Sequence, residues 1–130
     1  MIGYVTLGTN NLDAALAFYD ALLGSIGAKR LMEFQENGFT LYGTSWGSPG
    51  IAITRPYDQQ PAVPGNGNMV AIAMDSRDKV DAFYDKALEL GGTDEGPPGL
   101  RGPDGQRAFY GAYFRDPEGN KICAFRLGAA

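Results

Sequence analysis

Apolar and polar positions alternate over residues 3–9: Val5 and Leu7 point one way, and Tyr4, Thr6 and Gly8 the other, which predicts a strand. The period then changes. Leu12, Leu16, Tyr19, Leu23 and Ile26 recur at helical spacing behind a cap at Asn10 or Asn11, and Gly24 and Gly27 stop the helix. Strands are predicted at Lys29–Gln35, Phe39–Thr44 and Gly50–Arg55, with a hairpin at Glu36-Asn37-Gly38, where Asn-Gly supplies positive φ. The order is βαβββ.

The pattern then repeats. Ala17-Phe18-Tyr19-Asp20 returns sixty-five residues later as Ala82-Phe83-Tyr84-Asp85, and without gaps Tyr4 falls on Met69, Asp13 on Asp78, Leu23 on Leu88 and Gly27 on Gly92. Met69–Met74 is a predicted strand and Ser76 a cap. Lys79–Leu90 is a helix that buries Val80, Phe83, Tyr84, Ala87 and Leu88, and Ala108–Phe114 and Lys121–Leu127 are strands. Arg115-Asp116-Pro117-Glu118-Gly119-Asn120 joins the last two as a turn. Residues 94–107 are rich in Gly and Pro, and a short strand is expected near them. The chain reads as one α+β domain: module one over about 1–56, a Pro/Gly-rich connector over about 57–67, and module two over about 68–130. Two copies are too few for a solenoid. Two modules around a shared cleft are expected, with curved sheets facing it and helices outside.

Composition narrows the chemistry. The chain has 130 residues, a net charge of -4, one cysteine and no histidine. Ser-His-Asp triads, Cys-His pairs and imidazole metal sites are thereby excluded. A single cysteine forms no internal disulfide and suits a reducing cytoplasm. No basic stripe is present to neutralise phosphates, which argues against nucleic acid. No apolar run approaches a membrane span, and no charged segment followed by an apolar run suggests a signal peptide.

The doubled βαβββ unit, the two AFYD helices and the RDPEGNKI turn resemble the vicinal oxygen chelate superfamily, the glyoxalase, bleomycin-resistance and extradiol dioxygenase group. Its small bacterial members read GNGTHVAF, YYGAF and RDPDGNNIEA where this chain has Gly65-Asn66-Gly67-Asn68-Met69-Val70-Ala71-Ile72, Phe109-Tyr110-Gly111-Ala112-Tyr113 and Arg115-Asp116-Pro117-Glu118-Gly119-Asn120-Lys121-Ile122-Cys123-Ala124. The resemblance implies a homodimer. It also implies metal ligands on the first and last strand of each module, and these fall on Tyr4, Met69, Cys123 and either Ala52 or Ile53. A catalytic divalent ion wants about three N, O or S donors, so no metal and no cofactor are expected.

Tyr4, Thr6, Met69, Ala71, Cys123 and Phe125 share a face by strand parity, the cleft face in the family. With Arg101, Tyr110 and Tyr113 they form the candidate ligand site. Arg101 and Arg107 are candidate clamps for a carboxylate or phosphate, although loop arginines are commonly just solvated. Tyr42 is a further candidate for stacking, and Trp46 for the cleft mouth or for packing between subunits. Cys123 lacks a base and reads as a buried thiol, not a nucleophile. The expected function is metal-independent binding of a small organic molecule. The alternatives are an enzyme of glyoxalase or lyase type working through Tyr4 or Glu33, or an interaction module with a filled cleft.

Overall fold

A computed structural model describes residues 1–130, which form two compact units, Met1–Gly65 and Asn66–Ala130. The first contains β1 (Tyr4–Gly8), α1 (Leu12–Gly24), β2 (Lys29–Phe34), β3 (Phe39–Gly43) and β4 (Gly50–Thr54). The second contains β5 (Val70–Ala73), α2 (Arg77–Glu89), β6 (Thr93–Leu100), β7 (Phe109–Arg115) and β8 (Lys121–Leu127). Each is βαβββ, and the strand orders, β1-β4-β3-β2 and β5-β8-β7-β6, are equivalent. In both sheets the first strand runs parallel to the last, and the other pairings are antiparallel. A parallel pair needs a crossover, and the helix supplies it.

Helix α1 starts where the Asn11 side chain accepts from Ala14 N at 3.2 Å, and α2 where Ser76 does the same for Lys79 N at 3.2 Å. The α1 stripe is rotated from the expected one. Ala15, Phe18, Tyr19, Leu22 and Leu23 are buried, while Leu12, Leu16 and Ile26 are only half-buried. On α2, Val80, Phe83, Tyr84 and Ala87 are buried, and Phe83 meets Phe114 of β7 at 6.0 Å. Helix and sheet thus sandwich each unit's core on one face of its sheet, and the unit's helix leaves the other face uncovered.

Two glycine turns set the hairpins. Gly38 takes φ +71, and a Cβ there would collide with Leu12. In the last hairpin, Gly119 takes φ +99 and the buried Asp116 carboxylate accepts from Glu118 N and Asn120 N, both at 2.9 Å.

Strand β6 is the element that the sequence pattern hides. It spans eight residues, TDEGPPGL, and its register with β7 shifts on both sides of Gly96. Prolines cannot donate to a ladder, so such a strand lives at an edge, and β6 is one. The connector belongs to the first unit. Asn10 Nδ2 donates to Ala62 O at 2.9 Å, Ala62 N donates to Asn10 Oδ1 at 2.7 Å, and Gln59 Nε2 donates to Asn37 Oδ1 at 2.8 Å.

Candidate functional site

In the first unit the face away from α1 is open. Cross-strand register puts Tyr4, Thr6, Ala52, Leu41, Phe39, Met32 and Phe34 on it. Phe39 is the hinge of an aromatic cluster: Tyr4 meets it edge-on at 5.8 Å and 84°, and Phe34 meets it at 5.9 Å and 44°. Tyr4 and Phe34 remain more than half exposed. With Met32, Leu41 and Tyr57 they line a depression of about 900 Å³, to which Gln35, Glu36, Asn37 and Gln59 add polar groups. A second recess of about 530 Å³ shares Asn37, Phe39 and Tyr57 with it and is walled by Thr6, Arg55 and the connector residues Pro61, Ala62 and Val63.

In the second unit the corresponding face carries Ala71, Cys123, Phe125 and Tyr113. Tyr113 lies directly across from Cys123 in the strand register. Burial pushes the Cys123 thiol up, and the neighbouring Tyr113 hydroxyl offsets part of that rise. Burial also raises the Tyr113 phenol, and the neighbouring thiol adds to it. The Arg101 guanidinium lies 5.4 Å from the Tyr113 ring centroid and the Lys121 ammonium 5.5 Å. Phe125 stacks on Phe109 at 5.4 Å and 5°. Met69 precedes β5 and is exposed.

Of the sequence-derived candidates, Tyr4 and Thr6 thus share the open face of the first sheet, and Ala71, Arg101, Tyr113, Cys123 and Phe125 that of the second. Tyr110 departs from them. It lies three positions from Tyr113, so it points to the opposite, helix-covered face. There its hydroxyl donates to Asp81 of α2 at 2.7 Å, beneath the Arg77 guanidinium at 5.3 Å. Tyr42 is likewise taken by a helix: it is buried and donates to Asp20 of α1 at 2.7 Å. Neither tyrosine is presented to a ligand on the open faces. Glu33 pairs with Arg30 at 2.9 Å, and the exposed Trp46 lines neither recess. Sequence reasoning missed Met32, Phe34, Phe39, Leu41 and Tyr57. Phe39 and Leu41 alternate with Thr40 and Tyr42, a readable signal, but a shift in the β2 register at Leu31 hides the match with Met32 and Phe34.

A profile of the Glyoxalase/Bleomycin resistance protein/Dioxygenase superfamily matches residues 1–124. The chain belongs to that superfamily. A glyoxalase/bleomycin resistance protein from Albidiferax ferrireducens T118 is 37% identical and superposes with a TM-score of 0.81, covering 97% of this chain and 98% of its own. A lactoylglutathione lyase from Agrobacterium tumefaciens is 19% identical with a TM-score of 0.66, covering 97% and 92%. A glyoxalase-related enzyme from Fulvimarina pelagi is 18% identical with a TM-score of 0.71, covering 97% and 87%. The last two share the fold. A comparison with curated proteins found no match.

The register now decides which first-unit residue answers to Cys123. Ala71 pairs with Cys123, and its repeat counterpart Thr6 pairs with Ala52, so the position is Ala52 and not Ile53. The four positions that the resemblance marks as ligands therefore hold a phenol, a methyl, a thioether and a buried thiol. No three His, Cys, Asp or Glu side chains cluster as a metal site. This donor set does not fit a catalytic divalent ion.

Proposed function

We propose that the chain is a small-molecule binding protein that holds an apolar organic ligand without a metal ion. The observation that carries this reading is the aromatic depression of about 900 Å³ on the first sheet. Ligand sites are concave and mostly apolar, with a few polar groups to orient the guest, and span about 300–1,000 Å³. Tyr4, Phe34 and Phe39 supply rings at differing angles, and Gln35, Asn37 and Gln59 supply amides. The 37%-identical relative carries both the glyoxalase and the bleomycin-resistance name, and sequestration of an organic compound is the half that needs no metal.

The test is fluorescence titration with Nile red, a neutral apolar dye, beside mass spectrometry of small molecules that survive purification. Tyr4→Ala and Phe39→Ala should each weaken dye binding while the unfolding midpoint shows the unit still folded. Dye binding at parental strength in both folded variants would remove the depression as the site.

A further inference from the structure

The chain carries the Asn-Gly dipeptide twice, at Asn37-Gly38 and at Asn66-Gly67. In such a pair the backbone nitrogen of the glycine can attack the side-chain carbonyl carbon of the asparagine. A C–N bond forms, ammonia leaves, and a five-membered succinimide results. Water then opens the ring at either carbonyl, giving aspartate or isoaspartate. On balance one water enters and one ammonia departs. Glycine suits this step because no side chain shields its nitrogen and its backbone turns freely into the ring-closing geometry. The attack is intramolecular, so its rate follows how readily the two groups meet.

The fold opposes that meeting at Asn37. Its Oδ1 accepts from Gln59 Nε2 at 2.8 Å, and its backbone carbonyl accepts from Arg55 N at 3.2 Å and from Thr54 Oγ1 at 3.4 Å. Gly38 is buried against Leu12, and its carbonyl accepts from Thr40 Oγ1 at 3.0 Å. Ring closure has to rotate the peptide between them and so break the hairpin turn. Asn66 is placed in the opposite way. Residues 63–69 are all exposed, and the Asn66 amide has no hydrogen-bond partner within the chain. Gly65 and Gly67 flank it, and a Cβ at Gly67 would meet nothing within 4 Å. This stretch is also the covalent link between the units, since Ala62 is bonded to Asn10 of the first and β5 of the second begins at Val70.

We propose that Asn66 is a site of spontaneous deamidation and isoaspartate formation, and that the fold protects Asn37 from the same reaction. Either product adds one negative charge to a chain whose net charge is -4. Isoaspartate also adds one backbone atom to the link between the units. The amide of Asn37, which lines the aromatic depression, stays intact. The chemistry does not rest on the reading given for the first sheet.

Ageing the full native chain at mildly alkaline pH in heavy-oxygen water tests it, with peptides mapped by mass spectrometry and isoaspartate separated from aspartate by chromatography. The Asn66 peptide should convert to both products, each carrying the label. The Asn37 peptide should lag by about tenfold or more, because its reaction waits on local opening of the hairpin. In guanidinium chloride the two should convert within about twofold of each other, a comparison that needs no variant to fold. Gly67→Ala should slow conversion of Asn66 about tenfold, since a methyl group shields the attacking nitrogen and restricts its rotation. The proposal is overturned if Asn66 survives ageing in the native chain, if it yields aspartate alone, if Asn37 converts as fast, if the lag persists in denaturant, or if Gly67→Ala converts like the parent.

Discussion

The hydroxyl of Tyr42 lies 2.7 Å from a carboxylate oxygen of Asp20, tying the middle of the first sheet to its helix. The same carboxylate receives two bonds from Arg30, each 2.8 Å. Because Tyr42 is 1% exposed, Tyr42→Phe keeps the packing and removes one hydrogen bond. It should cost about 1 kcal/mol in urea unfolding.

The pH profile of that unfolding follows from the same pair. The Arg30 guanidinium holds Asp20 below its ordinary value of 3.8. A lowered carboxyl adds stability above its unfolded value and loses it as pH falls through the folded one, so the first unit should weaken in acid below about pH 4. Burial, and then the bond to Asp20, push the Tyr42 phenol above its ordinary 10.0. A raised phenol adds stability below that value and loses it as pH climbs beyond. Tyr42→Phe should flatten the alkaline limb and keep most of the acid limb. Unfolding midpoints measured from pH 3 to 11 (roughly the span of the two ordinary values) would show it; an unchanged alkaline limb would contradict it.

Asp116 should matter more than its place in a turn suggests. It is 4% exposed and accepts from two backbone amides and from Asn120 Nδ2 at 3.0 Å. Asp116→Ala strands those donors and should cost about 2 kcal/mol. The same change at exposed Asp58, whose carboxylate accepts from Gln60 N at 3.0 Å, should cost less.

Thiol chemistry offers a fourth check. Cys123 is fully buried and its thiol is pushed up by that burial. A disulfide reagent should therefore modify the native chain far more slowly than the urea-unfolded chain at the same pH, since the thiolate is the reacting form. Equal rates would mean that the face around Tyr113 opens readily.

Elemental analysis of purified protein should find no stoichiometric Zn, Ni, Fe or Mn, and EDTA should leave the unfolding midpoint in place. A tightly held ion stabilises the folded state by mass action, so its removal would lower the midpoint. One ion per chain would show that Tyr4, Met69 and Cys123 do more than their donor chemistry suggests.

The doubled βαβββ order was legible because strong local signals coincide. The AFYD repeat, the Asn37-Gly38 hairpin and the Asp116–Asn120 turn all point to one topology. Strand β6 was not, since Gly96-Pro97-Pro98-Gly99 carries no alternation and its pairing exists only through irregular register with β7. The open faces were legible where parity was followed, as for Tyr4 with Thr6 and Cys123 with Phe125. Tyr110 shows what happens when it is not: proximity in sequence to Tyr113 hides an odd spacing. The aromatic depression escaped for another reason. Tyr57 reaches it from a connector whose course is set by the bonds of Asn10 with Ala62 and of Gln59 with Asn37, and no periodicity encodes those.

The pairing of β1 with β4 has a consequence for synthesis. Every strand partner in the first sheet lies before residue 55. Domains fold as units while the chain is still being made. The leading half can complete its ladder and cover its helix before the ribosome has delivered the strands of the trailing half. The nascent chain then never exposes two unfinished copies of the same unit at once, which denies topologically equivalent strands the chance to exchange partners.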